Sequence, residues 1–326
     1  MTTRKHPQDY TIAIISALEF EMSAFRYMLD REHARLPVQQ GDSNLYILGE
    51  LNGHNIVLTC LPGIQGKGAA AVAAIHLHRT FNNIKYRFLI GIGGGVPGDG
   101  YDIRLGDVVI SMPEDGHGGV VQYDLGRDTE DGFKLKGFLV PPPTILRNAA
   151  NMMSSDHLVQ DNKVNEYVSA MVQRYPRLRR IYNRPSEKSC PDVLYDHEYP
   201  HPELNEHTCK TCDPARIISR PPREPGEDPM IHYGPIASGD REIKSARKRS
   251  EANRDLGNNK ILCFEMEAAG IATELYAAAN AAAAAKEMIY YLGPGGDDDD
   301  DSVEMVVRGE IDAGTLTYLG VDDLST

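Results

Sequence analysis

The chain has 326 residues, 41% of them hydrophobic and 25% charged, which suits one large α/β domain or two small ones and excludes global disorder. It has no run of about 18 apolar residues, no collagen or heptad repeat, and only five cysteines, so a membrane-spanning helix, a fibrous protein and a disulfide scaffold are also excluded. The formal net charge is −13, but ten acidic groups and one arginine fall in residues 297–326, so the rest is close to neutral and offers no broad nucleic-acid-binding surface.

Residues 10–17, YTIAIISA, are apolar and β-branched almost throughout, as in a strand covered on both faces. LEFEMSAFRYMLD follows as a helix, and a strand running straight into a helix points to a parallel α/β sheet. LYILGEL (45–51) and NIVLTCL (55–61) read as a hairpin across an Asn-Gly turn, and YRFLIGI (86–92) and DVVISM (107–112) as further strands. The alanine-rich stretch 66–81 reads as a helix packed closely against strands. Residues 176–230 hold ten of the twenty prolines and three of the five cysteines, and read as a long surface insertion. Regular structure resumes at 230–240, and a helix is expected to open near Glu242. A short strand then feeds a long helical run over 261–292, which GPGG (293–296) ends. Five consecutive aspartates follow, and 297–326 is expected to be a disordered acidic tail behind a single domain over 1–296.

Gly91, Gly93, Gly94 and Gly95 follow a strand, where they serve either a tight turn or a loop whose amides approach a ligand. GIQGKGAA (63–70) opens a helix beside Lys67, which reads equally as an anion holder or a solvated lysine. Glu19 and Glu21 stand just past the first strand's C-terminal end, where open α/β sheets place ligands, although solvated carboxylates also favour a first helical turn. Glu265 and Glu267 flank Met266 at another strand end, and either carboxylate could grip vicinal ribose hydroxyls. Cys209 and Cys212 form a single CxxC without a second pair, so reduced loop cysteines are expected and no metal site.

In order and spacing, IAIISALEFEM (12–22), GIGGGVP (91–97), DIRLGDVVIS (102–111), GGVVQYDLG (118–126), HYGPIASGD (232–240) and CFEMEAAG (263–270) resemble the purine nucleoside phosphorylase and methylthioadenosine/S-adenosylhomocysteine nucleosidase superfamily. They are most similar to its fungal branch, often found in NOD-like receptor proteins. The resemblance spans roughly residues 8–270. It implies a three-layer α/β/α sandwich around a twisted mixed sheet, and cleavage of an N-glycosidic bond by water or phosphate. It implies that Glu21 activates the water. Gly91, Gly93 and Gly94 would then lie beside the anomeric carbon, Met266 and Glu267 would contact the ribose, and Ser238 and Asp240 would lead into the base pocket. The arginines that hold free phosphate in typical phosphorylases have no evident match, which favours water. The strand ending in the family's base-protonating aspartate is missing after MEAAG; VVRGEIDAG (306–314) is similar to it, with Asp312 near the acid's place. The expected partner is a small nucleoside or nucleotide, with no nucleic acid, membrane or cofactor, in a cytoplasmic homo-oligomer. The alternative is a catalytically degraded member kept as a ligand-sensing or interaction module.

Overall fold

The computed structural model describes residues 5–63, 66–98, 100–130, 132–182, 192–199, 212–224, 229–240, 243, 245–257, 260–265, 271–293 and 303–308. Strand β1 (Ile12–Ser16) is buried at every position, as an unbroken apolar run requires, and leads into α1 (Glu19–Arg26). There follow β2 (Arg31–Glu32), β3 (Tyr46–Leu51), β4 (His54–Cys60), α2 (Lys67–Thr80), β5 (Tyr86–Gly91), β6 (Gly94–Gly95), β7 (Val108–Ser111) and β8 (Val120–Gln122). The hairpin β9 (Gly126–Thr129) and β10 (Gly132–Leu135) precedes three helices, α3 (Thr144–Asp156), α4 (Val164–Arg174) and the short α5 (Arg179–Tyr182). The remainder comprises β11 (Leu194–Tyr195), β12 (Ile217–Ile218), β13 (Ile231–Gly234), β14 (Ile236–Ser238), α6 (Ala246–Gly257), β15 (Cys263–Phe264), α7 (Ile271–Tyr290) and β16 (Val303–Arg308).

Among the described residues the main sheet runs β13-β7-β16-β5-β1-β4-β3-β2. It is mixed: β13–β7, β16–β5, β5–β1 and β1–β4 pair in parallel, the other three neighbours antiparallel. A second sheet, β6-β15-β14-β8, continues it, since β5 and β13 pass almost directly into β6 and β14. Alternation along β1 puts helices on both faces. Ile12 and Ile14 join a cluster with Phe25 of α1, Leu146 of α3, Met171 of α4 and the α7 alanines. Ala13 and Ile15 join another with Leu77 of α2 and Phe81. The expected α/β sandwich with a mixed sheet is therefore the observed fold. The β3–β4 turn is also as expected, with Asn52 and Gly53 at φ 50° and 81°. Helix α7 lies close against the sheet because its side chains are short: Ala279 and Ala281 through Ala285 are completely buried.

Three expectations are corrected. The helix near Glu242 begins at Ala246. The acidic tail is not disordered throughout, because Val303–Arg308 forms β16 in the middle of the main sheet. Its backbone pairs with both β5 and β7, which would otherwise each carry an unpaired edge at that point. The proline-rich insertion is also not merely superficial. At its start Tyr182 is buried and its hydroxyl donates to the Phe20 carbonyl at 2.8 Å. Near its end Arg220 and Arg223 grip the loop that follows β6.

That grip centres on Asp107, whose side chain is fully enclosed. It accepts from the Arg223 guanidinium, from the amides of Arg104 and Met230, and from His232 Nε2, the last three at 2.9 Å. Burial alone would raise the Asp107 pKa, but the bonds from Arg223 and His232 outweigh it and lower the value. Asp107→Ala leaves Arg223 buried without its counter-charge and should cost about 3–5 kcal/mol in urea unfolding. The native pKa is depressed, so the carboxylate's contribution is complete above about pH 4 and is lost as pH falls through the native value. The gap between wild type and variant should therefore narrow on acidification.

Candidate active site

Strands β1, β4, β5 and β16 run in parallel, so their C-terminal ends share one edge, the usual place for a ligand in an open α/β sheet. The two carboxylates of the first turn of α1 part company there. Glu19 is exposed, as a solvated helix-start acid should be, whereas Glu21 is completely buried. Glu21 Oε2 accepts the Leu18 amide at 2.8 Å, and Oε1 accepts the Ile92 amide at 3.0 Å. Leu18 belongs to the end of β1 and Ile92 to the glycine loop after β5, so one carboxylate joins two strand ends. Each carboxylate oxygen carries two lone pairs, so one amide does not exhaust its capacity as an acceptor. Next to it, burial and the charges of Glu21 and Glu19 push the Cys60 thiol up to about 12, which keeps it protonated and unreactive.

Gly91, Gly93, Gly94 and Gly95 are not glycines because of a left-handed backbone, since none has positive φ. Two of them are glycines for want of space. A Cβ on Gly94 would lie 2.6 Å from Arg249 Nη1, and one on Gly95 would lie 2.8 Å from Ile103 Cγ2. Gly94–Gly95 pair antiparallel with Cys263–Phe264, which brings the glycine loop beside the buried Glu265.

Ser238 ends β14 opposite Gln122 of β8; its side chain is buried and its Oγ has no hydrogen-bond partner within the described residues. Gly239 fits because a Cβ there would touch the Tyr123 ring at 2.4 Å, and Tyr123 in turn meets Phe264 edge-on. Asp240 is occupied within the protein: its Oδ1 accepts the Lys67 amide at 2.9 Å and its Oδ2 pairs with the Lys67 ammonium at 3.2 Å. Lys67 also bonds both oxygens of Asp124, at 2.8 and 2.9 Å, and Asp124 accepts the Asp240 amide. Neither sequence reading describes Lys67, whose ammonium is paired with two carboxylates of the protein itself. Burial would lower its pKa, but the two carboxylates raise it, and Asp124 is held low in return. The cluster ties the start of α2, the end of β8 and the turn after β14 into one frame.

The structure thus brings Glu21, the glycine loop and Ser238 to strand ends and gives Asp240 a structural role. Met266, Glu267, Asp312 and Cys209 lie outside the described residues. Among the described residues, no group of three or more His, Cys, Asp or Glu side chains could hold a metal ion, and no helix is long and apolar enough to cross a membrane. Sequence reasoning missed Asp124 and Arg249. Asp124 stood in a motif but carried no spacing signal, and Arg249 reaches the glycine loop only through folding.

Residues 11–174 match the family model of the phosphorylase superfamily, and the chain belongs to that family. It is 35% identical over 266 residues to a nucleotide-binding leucine-rich repeat (NLR)-like protein of Hyaloscypha variabilis, covering 81% of this chain and 25% of that protein. The chain thus spans about a quarter of that relative's length. Solved structures similar to it include a methylthioadenosine/S-adenosylhomocysteine nucleosidase of Neisseria meningitidis, at 18% identity and TM-score 0.47 over 92% of this chain and 85% of that one. Another is a protein of Borrelia burgdorferi described as a putative nucleosidase of the same kind bound to adenine, at 14% identity and TM-score 0.48 over 94% and 90%.

Lys67→Met should leave Asp124 and Asp240 facing each other and cost about 1–3 kcal/mol. Asp124→Asn in the same chain should recover part of that loss. A double-mutant cycle in urea that comes out additive would show that the cluster is not coupled.

Proposed function

We propose that this chain cleaves the N-glycosidic bond of a purine nucleoside or nucleotide, with adenine as the base and water as the attacking group. The observation that carries the reading is Glu21, a buried carboxylate fixed by two backbone amides beside the glycine loop of a phosphorylase-superfamily fold. In the proposed step Glu21 takes a proton from water as the water oxygen bonds to the anomeric carbon. The bond from that carbon to the base nitrogen breaks, and its electron pair leaves with the base, which receives a proton from an acid. Glu267 and Met266 hold the ribose, and the Ser238 hydroxyl, which has no partner among the described residues, is a hydrogen-bonding group for the ligand. Asp312 is the proposed acid. In support, Arg308 at the end of β16 pairs with Gly91, so the chain leaves that strand at the glycine-loop edge four residues before Asp312.

A second reading is a ligand-sensing module that binds the nucleoside without turnover. The NLR-like relative, of which this chain matches a quarter, favours it.

The deciding experiment incubates the purified chain with adenosine, methylthioadenosine and ATP and follows free adenine by chromatography. Glu21→Gln should lower release by roughly 10²–10⁴-fold while ligand binding persists, because the amide keeps the shape and loses the base. Binding without release from any of the three would leave the sensing module standing and remove the enzyme.

A further inference from the structure

We infer that Asn280 is a positioning residue, which pins the half of α7 nearest in sequence to Glu267, a role that no motif in the sequence assigns. Its effect on a nucleoside ligand rests on the proposed function, whereas the pin itself does not. The surface of α7 is degenerate. Positions 277–285 hold eight alanines and one asparagine, and Ala278, Ala279 and Ala281 through Ala285 are all enclosed. A helix buried on every side has no polar face to set its rotation. Turning it by one residue, about 100°, would exchange alanine for alanine at most of these contacts. The alanines bring the helix close to the sheet but cannot select one placement for it.

Two polar side chains make that selection. Toward the C-terminal end, Glu287 pairs with His157 Nε2 and accepts the Lys163 amide, both at 2.9 Å. Two turns earlier, roughly 10 Å along the axis, Asn280 is completely buried and its Nδ2 donates to the Gly106 carbonyl at 2.6 Å. Gly106 has φ 89°, and the Tyr276 ring, one turn before Asn280, occupies the space that a Cβ on Gly106 would need. The next residue, Asp107, is the enclosed carboxylate gripped by Arg223 and His232, so the carbonyl that holds Asn280 belongs to a braced loop. Glu287 alone would leave α7 free to pivot. Asn280 removes that freedom at the N-terminal half, and Glu267 precedes Ile271, the first residue of α7, by only four positions. The energetics favour position over stability as the reason for this residue. Asn280 Oδ1 is buried with no partner among the described residues, a penalty that alanine would avoid, and alanine is also the better helix former. A single buried asparagine retained against stability is a known device for fixing how a helix sits.

The test compares the full wild-type chain with Asn280→Ala by urea unfolding, by NMR of methyl-labelled alanines and by calorimetric titration with adenosine. The unfolding midpoint of the variant should equal or exceed that of wild type. The methyl signals of Ala277, Ala278 and Ala279, single in wild type, should broaden or multiply. Those of Ala283, Ala284 and Ala285, close to Glu287, should stay single. Adenosine affinity should fall at least tenfold. A midpoint below that of wild type, or a variant that fails to fold, overturns the inference, because Asn280 would then serve stability. Unchanged single signals from the first three alanines overturn it too, as do multiplied signals with undiminished adenosine affinity. Wild-type protein that binds no adenosine removes the nucleoside reading instead, and the methyl signals then decide whether the pin exists.

Discussion

The site depends on one carboxylate holding two backbone amides. Leu18 and Ile92 stand just beyond the ends of β1 and β5, which are adjacent parallel strands. A water could satisfy either amide, but a water would not fix the distance between them. Glu21 does both, and it does so inside the protein, where leaving a charged acceptor half-satisfied would be costly. The position of the glycine loop follows from this link. The packing of Gly94 against Arg249 and of Gly95 against Ile103 then follows from the position of the loop.

A second frame supports the first from the far side. Asp107 and Asp124 each gather donors from segments distant in the chain, and each succeeds because its cation comes from elsewhere: Arg223 from the proline-rich segment, Lys67 from the start of α2. The loop between the glycines and β7 is thus held at Gly95 by Ile103 and at Asp107 by Arg223. The proline-rich segment thereby becomes a brace for the loop bearing the glycines, a contribution its composition gave no reason to expect.

How much of this could be read from residues alone varied with the range of the interaction. Strands β1, β3, β4, β5 and β7 announced themselves through unbroken β-branched runs, and α2 and α7 through alanine. The hairpin turn was legible because Asn52 and Gly53 carry its geometry themselves. Helices α3 and α4 passed unread between the motifs, and β6, β8 and β14 are two or three residues long, too short for any alternation to register. The division between Glu19 and Glu21 could be raised but not resolved from sequence, since both occupy the same helical turn and only tertiary packing buries one. Lys67 failed for a related reason: its partners, Asp124 and Asp240, lie far along the chain. The tail drew two opposed readings, disorder from its five aspartates and a strand from the resemblance of VVRGEIDAG (306–314), and β16 overlaps the start of that stretch.

The place of β16 bears on how the protein is made. Val303 pairs with Tyr86 across more than two hundred intervening residues, and β16 is what joins β5 to β7 in the main sheet. A ribosome releasing this chain in order would expose β5 and β7 long before the strand that belongs between them emerges. Loop-closure entropy makes so distant a pairing slow, and two open strand edges invite the wrong neighbour in the meantime. The run of aspartates just ahead of β16 is well placed to keep that late segment from pairing elsewhere, since clustered negative charge discourages a strand from associating with other chains before it reaches its slot.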